Sequence, residues 1–342
     1  MVGHPPQAKT SPALNHERLS LSSEESRCSV PREMATSTRE DHAFDSHGTP
    51  CAAWLYRPDA ADADDRVPCI VMAHGFSGTR RDGLEPYAER FAQAGLGVLL
   101  FDYRSFGDSG GEPRQVIDVR GQQDDYRAAI RAAARVAWVD PSRIALFGSS
   151  FSGGHVVTVA AGDAQIAAAI SQAPFADGLV QLRSAPALTS ARMTFDALRD
   201  IAGAALGRAP VLVASVGRPG SYAVMTAPEA DPGFHAIVGE RSRWQNAVAA
   251  RVLLQIGRWR PVRDAQRVSC PLLVCVCDGD ETTPPAPAAQ MAQNAPRGEL
   301  VRYPIGHFDI YRGEAFERAV TDQVEFLQRV LAPQRVRQRS AA

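Results

Sequence analysis

Residues 143–154 read Arg143-Ile-Ala-Leu-Phe-Gly-Ser-Ser-Phe-Ser-Gly-Gly154, an apolar strand that runs directly into a serine surrounded by small residues. Gly148 and Ser152 lie two positions before and two positions after Ser150. A sharp turn from strand to helix leaves room only for small side chains at those positions, and it presents the central serine hydroxyl above the sheet edge. The pattern predicts a nucleophile elbow with Ser150 as the nucleophile, although its fifth position is Ser rather than the commoner Gly.

On both sides of this elbow the chain alternates strand-like and helix-like segments. Such alternation is typical of a mostly parallel sheet with helices on both faces, so the predicted fold class is α/β. Strands are expected at 51–56, 67–73, 97–101, 143–149, 166–170, 271–277 and 299–303, and helices at 85–94, 117–136, 151–161 and 315–331.

The alternation is interrupted at 177–262. This segment contains helix-like pieces at 192–206 and 244–256, separated by a stretch rich in Gly and Pro at 218–233. An insertion of this size in a compact domain is usually functional. We predict that it forms a helical cap over the sheet and builds the substrate pocket.

The two ends of the chain differ from this pattern. Residues 1–42 are predicted to be a disordered extension, because the segment is polar and shows no apolar period. It lacks the apolar core of a secretory signal, and Met34 offers an alternative start of translation. The expected domain covers 43–331, and 332–342 is expected to be a frayed tail.

Composition narrows the function classes. The 342 residues carry a formal net charge of −1, which gives no support for a nucleic-acid or membrane partner. No stretch approaches the roughly 18 apolar residues that cross a bilayer. The six cysteines lack zinc spacing and are expected to be buried free thiols in a reducing compartment. We predict a cytoplasmic protein with no metal and no cofactor, and leave its oligomeric state open, a homodimer included.

A nucleophilic serine needs a histidine base that is oriented by a carboxylate. In enzymes with such an elbow the three residues follow the chain order serine, acid, histidine. Of the eight histidines, only His235 and His307 follow the elbow outside its own helix. His307 is the predicted base because it lies in a loop between the last strand and the last helix, whereas His235 lies in the Gly- and Pro-rich part of the insertion.

The acid is expected at the end of the preceding strand. Asp280 is favoured over Asp278 because Gly279 makes the turn that aims the next carboxylate at the histidine loop. Asp278 is interpreted as a turn-forming residue, and Asp309 as a residue of the histidine loop. The oxyanion hole is predicted to consist of the backbone N–H groups of Phe76 and Phe151.

Together these segments resemble the serine α/β-hydrolase superfamily. Within it the chain is similar to the dienelactone-hydrolase-like and Xaa-Pro-peptidase-like branch, which has a helical insertion before the acid strand. The motifs that carry the resemblance are His74-Gly-Phe-Ser-Gly78, Phe101-Asp-Tyr-Arg-Ser-Phe-Gly-Asp-Ser-Gly-Gly111, the elbow, Asp280 with the prolines that follow it, and Gly306-His-Phe-Asp-Ile-Tyr311.

The resemblance implies a cofactor-independent hydrolase that cleaves an ester or related acyl bond of a small molecule through an acyl-enzyme. Ser150 would attack, His307 would move the proton, and Asp280 would orient the imidazole. An acyltransferase that moves an acyl chain, for instance a polyketide, to an alcohol is the alternative. A peptidase is a less favoured reading, and so is a non-catalytic binding module, because every triad position holds a competent residue. The fold itself does not determine the substrate.

Overall fold

The computed structural model describes residues 37–59, 61, 65–183 and 187–332. Most of the predicted disordered extension and nearly all of the predicted frayed tail lie outside the described residues. The strands in chain order are β1 (Ser37–Ser46), β2 (Thr49–Pro58), β3 (Val67–Ala73), β4 (Gly97–Phe101), β5 (Val139–Ser149), β6 (Ala168–Gln172), β7 (Leu212–Val216), β8 (Ala223–Met225), β9 (Val248–Ala249), β10 (Leu272–Cys277) and β11 (Gly298–Tyr303).

Eight of these strands form one sheet in the order β1-β2-β4-β3-β5-β6-β10-β11. β2 pairs antiparallel with β1 and with β4, and the remaining pairs are parallel. The carboxyl ends of the parallel strands meet at one edge, which is where ligands bind in sheets of this kind. The predicted site loops follow β3, β5, β10 and β11, so the topology brings all of them to that edge.

Helices cover both faces of the sheet. In chain order they are α1 (Glu85–Gln93), α2 (Val119–Ala133), α3 (Phe151–Ala160), α4 (Gly178–Arg183), α5 (Ala187–Ala205), α6 (Ala230–Ile237), α7 (Leu253–Ile256), α8 (Pro261–Asp264), α9 (Pro285–Asn294) and α10 (Gly313–Val330). One core contains Tyr126 of α2, Val156 of α3 and Met291 of α9, and the other contains Tyr87 of α1 and Phe326 of α10. The predicted α/β class is confirmed, and its central strands read as continuous apolar runs because both faces are buried.

The first strand corrects one predicted boundary. Residues 37–42, which were assigned to the disordered extension, form part of β1 and pair with β2. Most side chains in this edge strand are exposed. An edge strand needs only backbone pairing to one neighbour, so its polar sequence carries no apolar period to reveal it.

The segment between β6 and β10 contains strands as well as helices. β7 pairs in parallel with β8 and antiparallel with β9, which makes a small second sheet. The predicted helix at 244–256 is instead β9, a 3₁₀ turn (Ala250–Val252) and α7. A short apolar run does not distinguish strand from helix by its period, and here Val248 and Ala249 find a partner strand in β7.

The longest helix of this segment, α5, does not bury the whole apolar stripe that the sequence predicted. Its Asp200 is buried and receives hydrogen bonds from the backbone N–H and guanidinium of Arg251. Phe195 is 64% exposed and Leu198 is 55% exposed. The helix therefore packs on residues 250–256 rather than on the sheet itself.

Two further expectations concern cysteines and membranes. Cys51, Cys69, Cys270, Cys275 and Cys277 are buried free thiols, as predicted. Burial raises the pKa of the Cys51, Cys69 and Cys275 thiols to about 12, which makes them poor nucleophiles. Across the described part of the chain, no helix combines the length and apolar character that crossing a membrane requires.

Candidate active site

Ser150 lies in the sharp turn between β5 and α3, with φ 59° and ψ −121°. Non-glycine residues rarely adopt such a left-handed conformation, and it is characteristic of strained functional turns. The turn is held by a hydrogen bond of 2.8 Å from the Ser150 N–H to the Gln172 carbonyl oxygen. A Cβ at Gly148 would collide with the Ser152 carbonyl oxygen. The structure therefore has the elbow geometry that the spacing predicted.

The serine at the fifth position of the elbow is accommodated by a buried polar chain. The Ser152 Oγ lies 2.8 Å from the Tyr103 hydroxyl and 2.7 Å from the Tyr126 hydroxyl. Tyr126 donates its own proton to the Phe147 carbonyl oxygen at 2.8 Å. Ser152 therefore donates to Tyr126 and accepts from Tyr103, which places both tyrosines behind the elbow. The sequence carried no signal for this pairing, since the tyrosines are distant in the chain.

The other elbow serine is also engaged elsewhere. The Ser149 Oγ accepts a hydrogen bond of 3.0 Å from the Gln172 amide and lies 2.6 Å from the Tyr311 hydroxyl. Ser149 and Ser152 are both fully buried. Of the three elbow serines, only Ser150 has its hydroxyl within hydrogen-bonding distance of a histidine.

That histidine is His307. Its Nε2 lies 3.1 Å from the Ser150 Oγ, and its Nδ1 lies 2.6 Å from Asp280 Oδ2. The network assigns the proton to Nδ1, which donates to the carboxylate and leaves Nε2 free to accept the serine proton. This is the arrangement that a serine nucleophile and its base require.

The loop after β10 fixes the Asp280 carboxylate. Its Oδ1 accepts hydrogen bonds from the backbone N–H groups of Thr282 at 2.9 Å and Thr283 at 2.6 Å. Its Oδ2 accepts from the Thr283 hydroxyl at 2.8 Å as well as from His307. Both oxygens are thus satisfied, and the one that faces the imidazole has a fixed direction.

The sequence also offered Asp278, Asp309 and His235, and each of them makes other contacts. Asp278 forms a half-exposed ion pair with Arg302 at 2.5 Å. The Asp309 carboxylate accepts the Gly306 N–H at 2.9 Å, within the histidine loop. His235 is an exposed residue of α6 whose Nδ1 lies 2.8 Å from the Asp231 carbonyl oxygen.

Two carboxylates tune the candidate base. Complete burial by itself would lower the pKa of His307, but the negative charges of Asp280 and Glu229 oppose it and leave the pKa above its usual value. A base of this kind stabilises the imidazolium that forms when serine loses its proton.

Phe76 and Phe151, whose backbone N–H groups are the predicted oxyanion donors, line the same cavity as Ser150. Phe151 is the first residue of α3, and the first N–H groups of a helix have no intrahelical acceptor. Phe76 follows β3, and no hydrogen bond from its N–H to another described residue is found. The rings of Phe76 and Phe151 contact edge to face, with centroids 5.4 Å apart. The two side chains are therefore adjacent in space, and the oxyanion role of their N–H groups stays a prediction.

His74 shapes the loop that carries Phe76. Its Nδ1 donates to the Gly75 carbonyl oxygen at 2.9 Å, and its Nε2 accepts from the Tyr103 N–H at 3.4 Å. Burial lowers the pKa of His74, so it stays neutral in this role. Gly75 lies close to the nucleophile. A Cβ at this position would be only 3.0 Å from the Ser150 Cβ.

Two cavities meet at Ser150. The inner cavity has a volume of about 20 Å³ and extends towards His74, Phe234 and Tyr311. The outer cavity has a volume of about 50 Å³ at Ser150 and shares Val224 and Ile256 with a further groove of about 330 Å³. Residues of the 177–262 segment line both cavities.

Among the described residues, no cluster of His, Cys, Asp or Glu suited to a metal ion is found.

Comparison with protein families and known proteins shows what this chain is similar to. Residues 47–247 match the family model of the X-Pro dipeptidyl-peptidases (S15 family). The chain is 44% identical over 291 residues to the quorum-quenching protein AidA of Acinetobacter baumannii, covering 85% of this chain and 95% of that protein. It is 28% identical over 287 residues to the polyketide transferase claH of Penicillium crustosum, covering 81% of this chain and 92% of that protein.

A fungal thiohydrolase and a solved structure extend this set. Thiohydrolase aneE of Aspergillus aculeatus is 28% identical over 283 residues, covering 78% of this chain and 86% of that protein. The crystal structure of the α/β hydrolase GrgF from Penicillium sp. matches with a TM-score of 0.74 at 25% identity, over 86% of this chain and all of that chain. The predicted resemblance to the Xaa-Pro-peptidase-like branch of the serine α/β-hydrolases is confirmed.

Proposed function

This chain belongs to the X-Pro dipeptidyl-peptidase (S15) family and is a hydrolase of ester-type bonds, and we propose that it acts through Ser150, His307 and Asp280 on a small molecule with an apolar acyl chain. The observation that carries the proposal is the pair of hydrogen bonds made by His307, 3.1 Å to the Ser150 Oγ and 2.6 Å to Asp280. No other histidine in the described part of the chain connects an elbow serine to a carboxylate.

The reaction has two halves. His307 Nε2 takes the Ser150 proton while Oγ attacks the acyl carbon, and the N–H groups of Phe76 and Phe151 stabilise the oxyanion. The imidazolium then protonates the leaving alcohol, and the acyl group stays on Ser150. In the second half His307 takes a proton from water, the hydroxide attacks the acyl carbon, and the acid leaves as Ser150 regains its proton.

The two cavities suggest where each group lies. The inner cavity of about 20 Å³ has room for a water molecule but not for an acyl chain. The outer cavity continues from Ser150 past Val224 and Ile256 into a groove of about 330 Å³. We place the acyl chain in this outer channel and the attacking water on the inner side.

The relatives narrow the substrate class. The relative that is 44% identical is a quorum-quenching protein. A quorum signal that an ester hydrolase inactivates must contain an ester-type bond, as an acylated lactone does. An acylated lactone or ester is therefore the proposed substrate, since its apolar chain suits the channel.

The test is turnover of p-nitrophenyl esters of increasing chain length and of an N-acyl homoserine lactone, each measured beside the Ser150→Ala variant. Turnover that depends on Ser150 is the expected result. Preferential cleavage of an X-Pro p-nitroanilide would favour a peptidase instead. Turnover of no ester, together with no fluorophosphonate labelling of Ser150, would overturn the proposal.

The second candidate, acyl transfer to an alcohol, is favoured by the 28% identity to a polyketide transferase. Adding a primary alcohol to the ester assay and analysing the products by mass spectrometry separates the two. We expect free acid, the product of hydrolysis, as the main product. The inner cavity of about 20 Å³ has little room for a bulky acceptor alcohol. A new ester as the main product would support the transferase.

The channel makes a testable prediction. Val224 lines both parts of the outer channel, so Val224→Phe should reduce kcat/KM for p-nitrophenyl octanoate by about tenfold or more while sparing p-nitrophenyl acetate. Leu212→Phe is the matched control, because Leu212 lies in the same small sheet but is 50% exposed and lines neither cavity. Equal loss on both esters would contradict the placement of the acyl chain.

Two aromatic residues of the 177–262 segment differ in their positions relative to the site. The Tyr222 hydroxyl donates to Asp196 at 2.5 Å on the outer side of the segment, and Tyr222 lines no cavity at Ser150. Trp244 stacks on Phe234 at 4.7 Å between centroids, and Phe234 lines the inner cavity. We therefore expect Trp244 to affect the site through Phe234, and Tyr222 to have little effect.

A further inference from the structure

Glu229, the residue before α6, uses both carboxylate oxygens to bind the loops of the active site. Its Oε1 accepts hydrogen bonds from the Glu281 N–H at 2.9 Å, the Thr282 N–H at 3.1 Å and the Thr282 hydroxyl at 3.0 Å. Its Oε2 accepts from the His307 N–H at 2.9 Å. One side chain thus binds the residues that follow Asp280 and the backbone of His307 itself.

The two loops make little direct contact without it. The Gly279 N–H donates to the Ile305 carbonyl oxygen at 3.0 Å. This contact precedes Asp280 in one loop and His307 in the other. Beyond that point, the connections found in the described residues are Glu229, the Asp280–His307 pair and the Thr283 hydroxyl, which lies 3.3 Å from His307 Nδ1. A shift between these loops would lengthen the hydrogen bond between the acid and the base.

The histidine loop is shaped to admit this carboxylate. A Cβ at Gly306 would lie 2.5 Å from Glu229 Oε2, and its next neighbour would be Asp309 Oδ2 at 3.2 Å. The φ of Gly306 is not in the left-handed region. The carboxylate of Glu229, rather than the local backbone conformation, is therefore what favours glycine at this position.

We propose that Glu229 is a positioning residue of the active site. Through it, the segment between β6 and β10 holds Asp280 and His307 in their positions relative to each other. The inference rests on the proposed function of these two residues. It makes the segment part of the catalytic apparatus as well as the lining of the substrate channel. Sequence spacing could not reveal it, because Glu229 lies in a Gly- and Pro-rich stretch far from both loops.

The charge of Glu229 has a second effect. Although burial lowers the pKa of His307, the carboxylates of Asp280 and Glu229 raise it above its usual value. Other titratable groups around the imidazole are Asp309 on its own loop and Asp82, His74 and Tyr311 on the wall of the inner cavity. Removing the Glu229 charge should lower the pKa of His307, so the base becomes neutral at a lower pH.

The first test is Glu229→Gln, which keeps the shape of the side chain. An amide has only one acceptor oxygen, so its NH₂ must face an N–H donor of one loop. We expect kcat for p-nitrophenyl acetate to fall by about 10- to 100-fold with KM within about twofold. The acidic limb of the kcat/KM profile should move to lower pH. Asp231→Asn, a change at a partly exposed carboxylate of α6, is the control and should leave both unchanged.

The second test is a double-mutant cycle with Gly306→Ala. This substitution should lower kcat in the wild-type background because its Cβ displaces the Glu229 carboxylate. It should have a much smaller effect in a Glu229→Ala background, where that neighbour is gone. Melting temperatures of all variants identify any loss of folding, and Gly306→Ala provides the test if Glu229→Gln does not fold.

The outcomes separate the two proposals. If Ser150→Ala abolishes turnover but Glu229→Gln has wild-type kcat and an unmoved acidic limb, the positioning role is overturned and the proposed function stands. A fall in kcat with an unmoved limb and additive effects in the cycle would indicate a merely structural residue and would also overturn it. If Ser150→Ala keeps full activity, the proposed function itself fails.

Discussion

Replacement of Ser150 by alanine is expected to lower kcat for ester hydrolysis by about 10⁴-fold or more, because serine, histidine and acid act as a unit. The residual rate would come from the oxyanion donors and from substrate binding. The same residue should be the serine that a fluorophosphonate labels. Peptide mapping by mass spectrometry locates the adduct, and stopped-flow or endpoint ester assays give the rate.

The neighbouring serines supply the controls. Ser149→Ala should keep both labelling and turnover within a few fold, since its hydroxyl contacts Gln172 and Tyr311 rather than His307. Ser152→Ala should keep the label but lower stability by about 1–3 kcal/mol, because the buried Tyr103 hydroxyl loses its acceptor. An adduct on Ser149 or Ser152 would contradict the register of the elbow.

The parts of the fold that the sequence predicted are those with strong local signals. The strands Val67–Ala73 and Gly97–Phe101 were predicted with their observed bounds because their runs of buried apolar residues end sharply at polar loops. The elbow combines such a run with three small residues at fixed positions. Chain order then limited the candidates for base and acid, and the loop positions of His307 and Asp280 selected them. The structure brings both together with Ser150.

The parts that could not be predicted depend on contacts between distant segments. β1 is polar and exposed, and only its pairing with β2 makes it a strand. β9 is a two-residue strand that exists because β7 lies beside it. The polar chain from Tyr103 through Ser152 to Tyr126 and the carboxylate of Glu229 likewise join residues far apart in the chain. Spacing rules cannot detect such pairs, because they describe neighbours in sequence.

Substitution of Asp280 by asparagine is expected to lower kcat by about 10⁴-fold while the protein stays folded. The structure fixes the direction of the effect. Oδ1 receives two backbone N–H groups, from Thr282 and Thr283, so the asparagine amide would place its oxygen there. Its NH₂ group would then occupy the Oδ2 position and donate to His307 Nδ1. The imidazole would have to carry its proton on Nε2, where it could no longer accept the proton of Ser150.

Asp278→Asn is the matched control, because Asp278 is the neighbouring carboxylate of the same loop and pairs with Arg302 at the surface. It should change kcat by no more than a few fold. Ester turnover, the rate of fluorophosphonate labelling and the melting temperature are measured for both variants. A similar loss in the two variants, at unchanged melting temperature, would mean that the loop as a whole rather than Asp280 supports the base. A selective loss at Asp280, with slow labelling of Ser150, is expected because the Asp280 carboxylate determines which nitrogen of His307 carries the proton.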